Sequence, residues 1–381
     1  ESPQIAQKLW HDYDTLFNVI LKDVVENYTF DKQRFYWPSS PMASFDEKAG
    51  NLNSGDIHYW DVWHFGKPFK EYLNNVGRFM SEYGFQSFPE LQTIEQYTTP
   101  SDRDITSDVM MAHQRHPRGN ELIKTYMGYY YKTPKNFEQF LYVGQILQAE
   151  GIKLAIEAHR RAMPHCMGSL YWQLNDCWPV ASWSSTDYYG RWKALHYFVK
   201  NAYANVLISP VINKQAIELN IISDETSDFK TRLTCRLIDF DGKQLWKDTA
   251  TITAKALSCS KTNLPFSIPQ SVKKEFSRAV LVVTSDIIHI ASSYSYFVDP
   301  KDMILPKPNI TAELKIAENG YVLTLKTDKL AKNVYLTSTA DCFFSDNYFD
   351  IMPGDYHVLH IKTNAKLELK DINIHSLVDA F

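Results

Sequence analysis

Cysteine is scarce and irregularly placed in this 381-residue chain: Cys166, Cys177, Cys235, Cys259 and Cys342 form no Cys-x-x-Cys pair. That pattern argues against a disulfide scaffold. Lone cysteines are usually buried small hydrophobes, with a single Cys235–Cys259 bridge as the alternative in a strand-rich region. No stretch approaches the roughly 20 consecutive apolar residues that a membrane-spanning helix requires. Positive charge is also in short supply, the formal net charge being -4. Such a chain projects no long-range positive field, so nucleic acids and other polyanions are poor partners. The opening residues Glu-Ser-Pro-Gln lack the basic and apolar parts of a secretory signal, so the protein is cytosolic or has lost a leader or more. Short-period repeats and low-complexity tracts are missing too.

What is present is an ordinary globular composition, 44% hydrophobic and 22% charged, enough to offset chain entropy by burial. The length suggests two or three domains. Aromatic residues make up 14%, and eight tryptophans (10, 37, 60, 63, 172, 178, 183 and 192) precede residue 193, leaving only Trp246 beyond it. That asymmetry marks a compositional boundary.

Residues 6–27 carry Leu9, Trp10, Tyr13, Leu16, Phe17, Ile20, Leu21 and Val24 at helical spacing, which predicts an amphipathic helix. Strand-like runs follow at 34–37, 56–60, 78–83 and 168–174, with helical patterns at 68–75 and 137–161 between the last three. Strands alternating with helices predict a parallel α/β arrangement. Beyond residue 204 the runs 215–222, 231–239, 244–254, 279–284 and 287–298 read as strands without helices. Asp241-Gly242 and Asn319-Gly320 suit hairpin turns that require positive φ. Boundaries are expected near residues 206 and 301, each tail piece fitting a small antiparallel sandwich.

Glu82 lies at the end of the apolar lead-in Arg78-Phe-Met-Ser-Glu82, where a strand of a parallel barrel would deliver it to the active-site face. A structural ion pair at a strand end is the competing reading. Trp37, Ser39, Ser40, Asp56, His58, Tyr59, Trp60, Trp63, Trp172, Gln173, Asn175, Asp176 and Trp178 form an aromatic and polar ensemble. Flat apolar rings beside carboxylates, amides and hydroxyls suit a sugar, although many such tryptophans serve as core packing. His113 and His116 are spaced to share a helix face but have no third ligand at motif spacing, so helix-surface or hydrogen-bonding roles are the default over zinc. His159, His165 and Cys166 cluster without a triad carboxylate, and Cys166 reads as a buried thiol. Asn27-Tyr-Thr and Asn309-Ile-Thr match the glycosylation pattern, which matters only in a eukaryotic secretory host.

Ser81-Glu-Tyr-Gly-Phe-Gln-Ser87 together with Gly168-Ser-Leu-Tyr-Trp-Gln-Leu-Asn-Asp176 closely resembles the β-mannosidases of glycoside hydrolase family two. The resemblance extends to Trp37-Pro-Ser-Ser-Pro41, Gly55-Asp-Ile-His-Tyr-Trp60, His113-Gln-Arg-His116 and Gly190-Arg-Trp-Lys-Ala-Leu-His-Tyr197, and in the tail to Phe344-Ser-Asp-Asn-Tyr-Phe349. It implies a multidomain α/β plus all-β protein: the C-terminal half of a (β/α)8 TIM barrel at 1–205, then two immunoglobulin-like β-sandwich domains at 206–300 and 301–381. It further implies an exo-acting, retaining β-mannosidase that removes terminal non-reducing β-D-mannose by double displacement. Glu82 would be the nucleophile, with Trp172, Trp60, His58, Trp37, Tyr83, Asn175 and Asp176 around the substrate, and no cofactor or metal. The expected partner is a β-mannoside or manno-oligosaccharide, with neither nucleic acid nor membrane, and the parent enzyme would be periplasmic, extracellular or lysosomal. β-Galactosidase or β-glucuronidase activity, or a noncatalytic carbohydrate-binding or interaction role, are the alternatives.

One departure from the family pattern bears on activity. Related enzymes carry their acid/base Glu in an Asn-Glu pair upstream of the helix at 6–27, and this chain has no such pair there; its Asn120-Glu121 follows the nucleophile. Some 205 residues precede the sandwiches where a full barrel takes about 250. The expectation is that the first half of the barrel is missing, by truncation rather than by replacement from a second copy. Half a barrel exposes strand edges and apolar interior, which opens a route to dimers through the barrel edge. The chain alone should lack normal turnover.

Overall fold

The computed structural model describes residues 2–28, 30, 34–43, 47–213, 216–265 and 270–381. Thr29 of the first glycosylation pattern and Gln215 of the first tail strand lie outside them.

The amino-terminal helix forms as its periodicity predicts: Pro3–Asp14, a π-helical stretch Thr15–Ile20, and Leu21–Tyr28. Ser2 caps it by accepting from the Ile5 N–H at 3.4 Å, and Pro3 occupies the first turn, where no N–H is needed. Its apolar residues, Leu9, Trp10, Tyr13, Leu16, Ile20, Leu21 and Val24 among them, are exposed.

The helix Phe137–Arg161 has the opposite surroundings. Asn136 caps it by accepting from the Gln139 N–H at 2.9 Å, and Arg160 and Arg161 sit at its negative carboxyl end. Apolar residues surround most of its circumference, and Leu141, Val143, Ile146, Leu147, Ile152 and Ile156 are buried, each contributing about 1.5–3 kcal/mol. Gln148 on this helix donates to the Phe85 carbonyl at 2.7 Å and accepts from the Ser87 hydroxyl at 2.7 Å, fixing the backbone just beyond Glu82.

Strands β1 (Ile57–His58) and β2 (Met80–Glu82) pair in parallel, and Met80 makes a further parallel bridge to Ser169. The expected strands at 56–60 and 78–83 are therefore present but short. Segment 168–174 contributes one bridge instead of a ladder, and 34–37 is not a strand, since no described neighbour gives it a ladder. Residues 68–75 contain a 3-10 helix at Phe69–Leu73.

The tail is all β. Strands β3 (Val206–Ile208), β4 (Val211–Ile212), β5 (Ala216–Ser223) and β8 (Ser258–Pro265) form one antiparallel sheet. It faces a second made of β6 (Phe229–Asp239), β7 (Gln244–Ala254), β9 (Ala279–Ser285) and β10 (Ser293–Tyr296). Leu219, Ile221, Leu233, Cys235, Leu237, Leu281 and Val283 fill the core. Only 293–296 of the expected strand 287–298 pairs. All five cysteines are free thiols, so the Cys235–Cys259 alternative does not form.

The last unit pairs β11 (Ile310–Ala317), β12 (Gly320–Thr327), β14 (Phe343–Phe344) and β16 (Tyr356–Lys362) in one sheet. Strands β13 (Ala331–Ser338), β15 (Phe349–Ile351) and β17 (Ile372–His375) form the other. Positive φ falls on the glycine at each expected turn: Gly242 at +96° and Gly320 at +130°. The β11–β12 turn itself is Glu318–Asn319, and a Cβ at Gly320 would lie 2.1 Å from the Ile361 carbonyl oxygen.

The two sandwiches attach to the α/β unit differently. The first meets it through polar groups: Arg160 to Asp224 at 2.9 Å, and Arg161 to the Ser209 hydroxyl at 2.6 Å. The second shares its apolar core, with Tyr335, Tyr348, Leu377 and Ala380 joining the cluster around the long helix. Tyr142 and Tyr335 stack at 5.1 Å and Tyr335 and Tyr348 at 4.7 Å, while the Tyr348 hydroxyl reaches Gln145 at 3.0 Å and Glu90 at 3.2 Å.

Candidate active site

The register pairs His58 on β1 with Glu82 on β2, which brings an imidazole beside a carboxylate at the carboxyl ends of two parallel strands. Glu82 Oε2 accepts from the Trp60 indole N–H at 3.2 Å and lies 3.4 Å from His58 Nδ1. The Glu82 side chain keeps 27% of its surface, so the carboxylate is held yet open to an incoming molecule. Trp60 is flanked by the edge of Trp183 at 6.0 Å and by the tilted ring of His64 at 5.2 Å.

Gly84 explains how three tryptophans crowd this strand end. A Cβ there would stand 2.5 Å from the Trp172 carbonyl oxygen, 3.0 Å from Trp60 Cη2 and 3.1 Å from Trp183 Cδ1. Only glycine leaves that space. The Trp172 N–H donates to the Tyr83 carbonyl at 2.8 Å, which joins the 168–172 segment to β2, and the Trp172 side chain is exposed.

Behind His58 lies Asp56. Its carboxylate accepts from the Ser40 and Ser81 hydroxyls at 2.5 Å each, from the Met42 N–H at 2.9 Å and from the Trp37 indole at 3.2 Å. Burial pushes the Asp56 pKa up, but these four donors outweigh it and hold the carboxyl below its ordinary value. Ser40 Oγ also stands 3.0 Å from His58 Nε2. Trp37, Asp56, Ser40 and His58 thus form one hydrogen-bonded chain, which ends 3.4 Å from the Glu82 carboxylate that Trp60 holds.

Two expected substrate contacts are turned elsewhere. Tyr83 is fully buried, its hydroxyl 2.7 Å from Ser169 Oγ and its ring edge-on to His159 at 4.7 Å. Successive strand residues point to opposite faces, so Glu82 outward puts Tyr83 into the core. Asp176 is also buried, accepting from the Ser182 and Ser184 hydroxyls at 2.6 Å each. Burial raises its pKa against the opposing charge of Lys193, a buried ammonium that burial itself brings down to about 8. Asp176 therefore braces the 176–184 loop, whereas Asn175 beside it is exposed and forms a bridge to Thr186. Trp63 is a core residue with no exposed surface.

The remaining candidates have structural partners. His113 stacks on Tyr97 at 3.8 Å with Nδ1 2.6 Å from the Pro179 carbonyl, and His116 packs edge-on to Trp63 at 5.8 Å. Among the described residues no three metal-ligating side chains converge. Cys166 is buried, and burial raises its thiol pKa. Glu121 pairs with Arg118 on an exposed helix face and takes no part in the cluster. Ser81 and Trp183 were missed by sequence reasoning. Ser81 neighbours the nucleophile candidate and is a visible hydroxyl, whereas Trp183 carries no local signal because only folding brings it under Gly84.

Residues 215–302 match the mannosidase Ig/CBM-like domain, and residues 305–380 match the Ig-fold domain of mannosidases. The chain is 30% identical over 420 residues to a β-mannosidase of Capra hircus, covering 97% of this chain and 46% of that one. It is 29% identical to β-mannosidase A of Aspergillus terreus, covering 99% of this chain and 47% of the relative. A solved β-D-mannosidase from Dictyoglomus thermophilum superposes with a TM-score of 0.86 at 28% identity, over 95% of this chain and 44% of that one. An exo-chitosanase from Amycolatopsis orientalis shares the fold, with a TM-score of 0.62 at 16% identity over 87% of this chain and 46% of that one. The chain spans about half the length of the relatives it matches.

Proposed function

This chain belongs to the β-mannosidases of glycoside hydrolase family two, and from that premise we propose that it carries the nucleophile half of an exo-acting, retaining active site. Residues 1–205 are read as the C-terminal half of a (β/α)8 barrel, with the sandwiches at 206–300 and 301–381. The observation that carries the proposal is the Glu82 carboxylate, held by the Trp60 indole N–H at 3.2 Å and still partly open at the carboxyl end of a parallel strand. In the first step a Glu82 oxygen bonds to the anomeric carbon of a terminal β-mannoside as the glycosidic C–O bond breaks. The electron pair goes to the leaving oxygen, which takes a proton from an acid. In the second step water displaces Glu82 and restores the anomeric configuration. Trp172, Trp60, His58, Trp37 and Asn175 are the proposed sugar contacts.

Retention requires a second carboxyl about 5 to 5.5 Å from the nucleophile. Glu121, the glutamate of this chain's Asn-Glu pair, sits on an exposed helix face with Arg118. The chain by itself is accordingly proposed to turn over natural mannosides slowly.

A 2-deoxy-2-fluoro-β-mannosyl fluoride tests the nucleophile without calling on the acid, because fluoride departs unassisted. Mass spectrometry of the digested protein should locate the adduct on Glu82 and find none in Glu82→Gln. An adduct on another carboxylate would refute the assignment. Rapid hydrolysis of an unactivated β-mannoside by this chain, lost in Glu82→Gln, would refute the missing-acid part alone.

A further inference from the structure

We infer that Asp56 and Ser40 fix the tautomer of His58, so that Nε2 carries the hydrogen and Nδ1 is the bare nitrogen turned toward Glu82. Asp56 is held ionised by four donors, so its oxygens can only accept. The single hydroxyl hydrogen of Ser40 is directed to Asp56 Oδ2 at 2.5 Å, which leaves Ser40 Oγ as an acceptor toward His58 Nε2 at 3.0 Å. His58 Nε2 therefore donates. With Nε2 as the donor, Nδ1 is the nitrogen that faces Glu82 Oε2, at 3.4 Å.

The charged and titratable groups facing this imidazole among the described residues are Asp56, with Oδ2 4.0 Å from Nε2, and Glu82. Asp56 is thus a positioning residue that acts through Ser40 and His58 and has no need to touch substrate. The tautomer rests on the hydrogen bonds alone, while its meaning for turnover rests on the proposed role of Glu82. The two can fail separately.

Nitrogen-15 spectra of histidine-labelled full chain provide the test, with the His58 ring assigned by difference against His58→Gln. At neutral pH the wild-type Nε2 should show a directly bonded hydrogen, with Nδ1 bare. In Asp56→Asn the new amide can donate to Ser40, whose hydroxyl then turns to His58, so the Nε2–H signal should be lost and the hydrogen should move to Nδ1. Ser40→Ala should abolish the fixed tautomer and give an exchange-averaged ring. A bare wild-type Nε2, or an unchanged ring in a folded Asp56→Asn protein, would overturn the inference. The wild-type spectrum decides even if that variant does not fold.

Discussion

The α/β unit has two unlike sides. On one, the helix Phe137–Arg161 is buried and the terminal sandwich adds Tyr335, Tyr348, Leu377 and Ala380 to its core. On the other, the helix over residues 3–28 leaves Leu9, Trp10, Leu16 and Val24 exposed, and the strand ends carrying Glu82 and Trp172 are open. Both helices have good caps and apolar residues at the right spacing. Local sequence makes the helix; a neighbour makes it part of a core, and most helical stability in proteins derives from that packing.

The contrast is broken most strongly by truncating the closed side. Phe85 has no exposed surface and packs edge-on to Trp63 at 4.9 Å, Phe69 at 5.0 Å and Tyr126 at 4.9 Å. Phe85→Ala should cost about 3–5 kcal/mol, read as a lowered urea midpoint.

Gly84→Ala probes the border between the two sides. The added methyl meets backbone at Trp172, which cannot rotate away, so a loss of about 1–3 kcal/mol is expected, with a change in tryptophan fluorescence as the rim indoles shift.

Glu90 sharpens the closed side by pH. Burial, reinforced by the negative charge of Asp187, pushes its carboxyl up from 4.5 to about 7, against the hydrogen bond from Tyr348 and the charge of Arg191. The folded protein then holds a proton that the unfolded chain gives up. The stability is fully present below about pH 4.5 and is lost as pH rises through about 7. Melting curves of Glu90→Gln should match wild type at acid pH and lie above it near pH 8. Equal melting temperatures at both would remove Glu90 from the account.

The smallest effect belongs to the open side. Trp10→Ala should change the unfolding free energy by no more than about 0.5 kcal/mol, because the indole is already exposed. A loss of several kcal/mol would mean that a neighbour covers this face in solution.

Much of the site was legible in the motif around Glu82, since a carboxylate ending an apolar run is a local signal. The positions of Tyr83 and Asp176 were not. Tyr83 is set by the alternation of a strand whose pairing brings Ser169 beneath it, and Asp176 by hydroxyls from a loop that returns only after folding. The segment 34–37 reads as a strand because Phe35, Tyr36 and Trp37 are aromatic, yet a strand exists only where a second chain segment supplies hydrogen bonds.

By itself the sequence determined the two helices, the tail strands, the glycines that take positive φ and the identity of the carboxylate at issue, since these depend on the spacing and stereochemistry of neighbouring residues. Only the tertiary structure decided that His58, Trp60 and Asp56 converge on Glu82, that Tyr83 turns inward, and that one amphipathic helix is buried while the other is not. Those outcomes depend on which distant segments meet, and hydrogen bonds and apolar contacts between such segments leave no trace in local order.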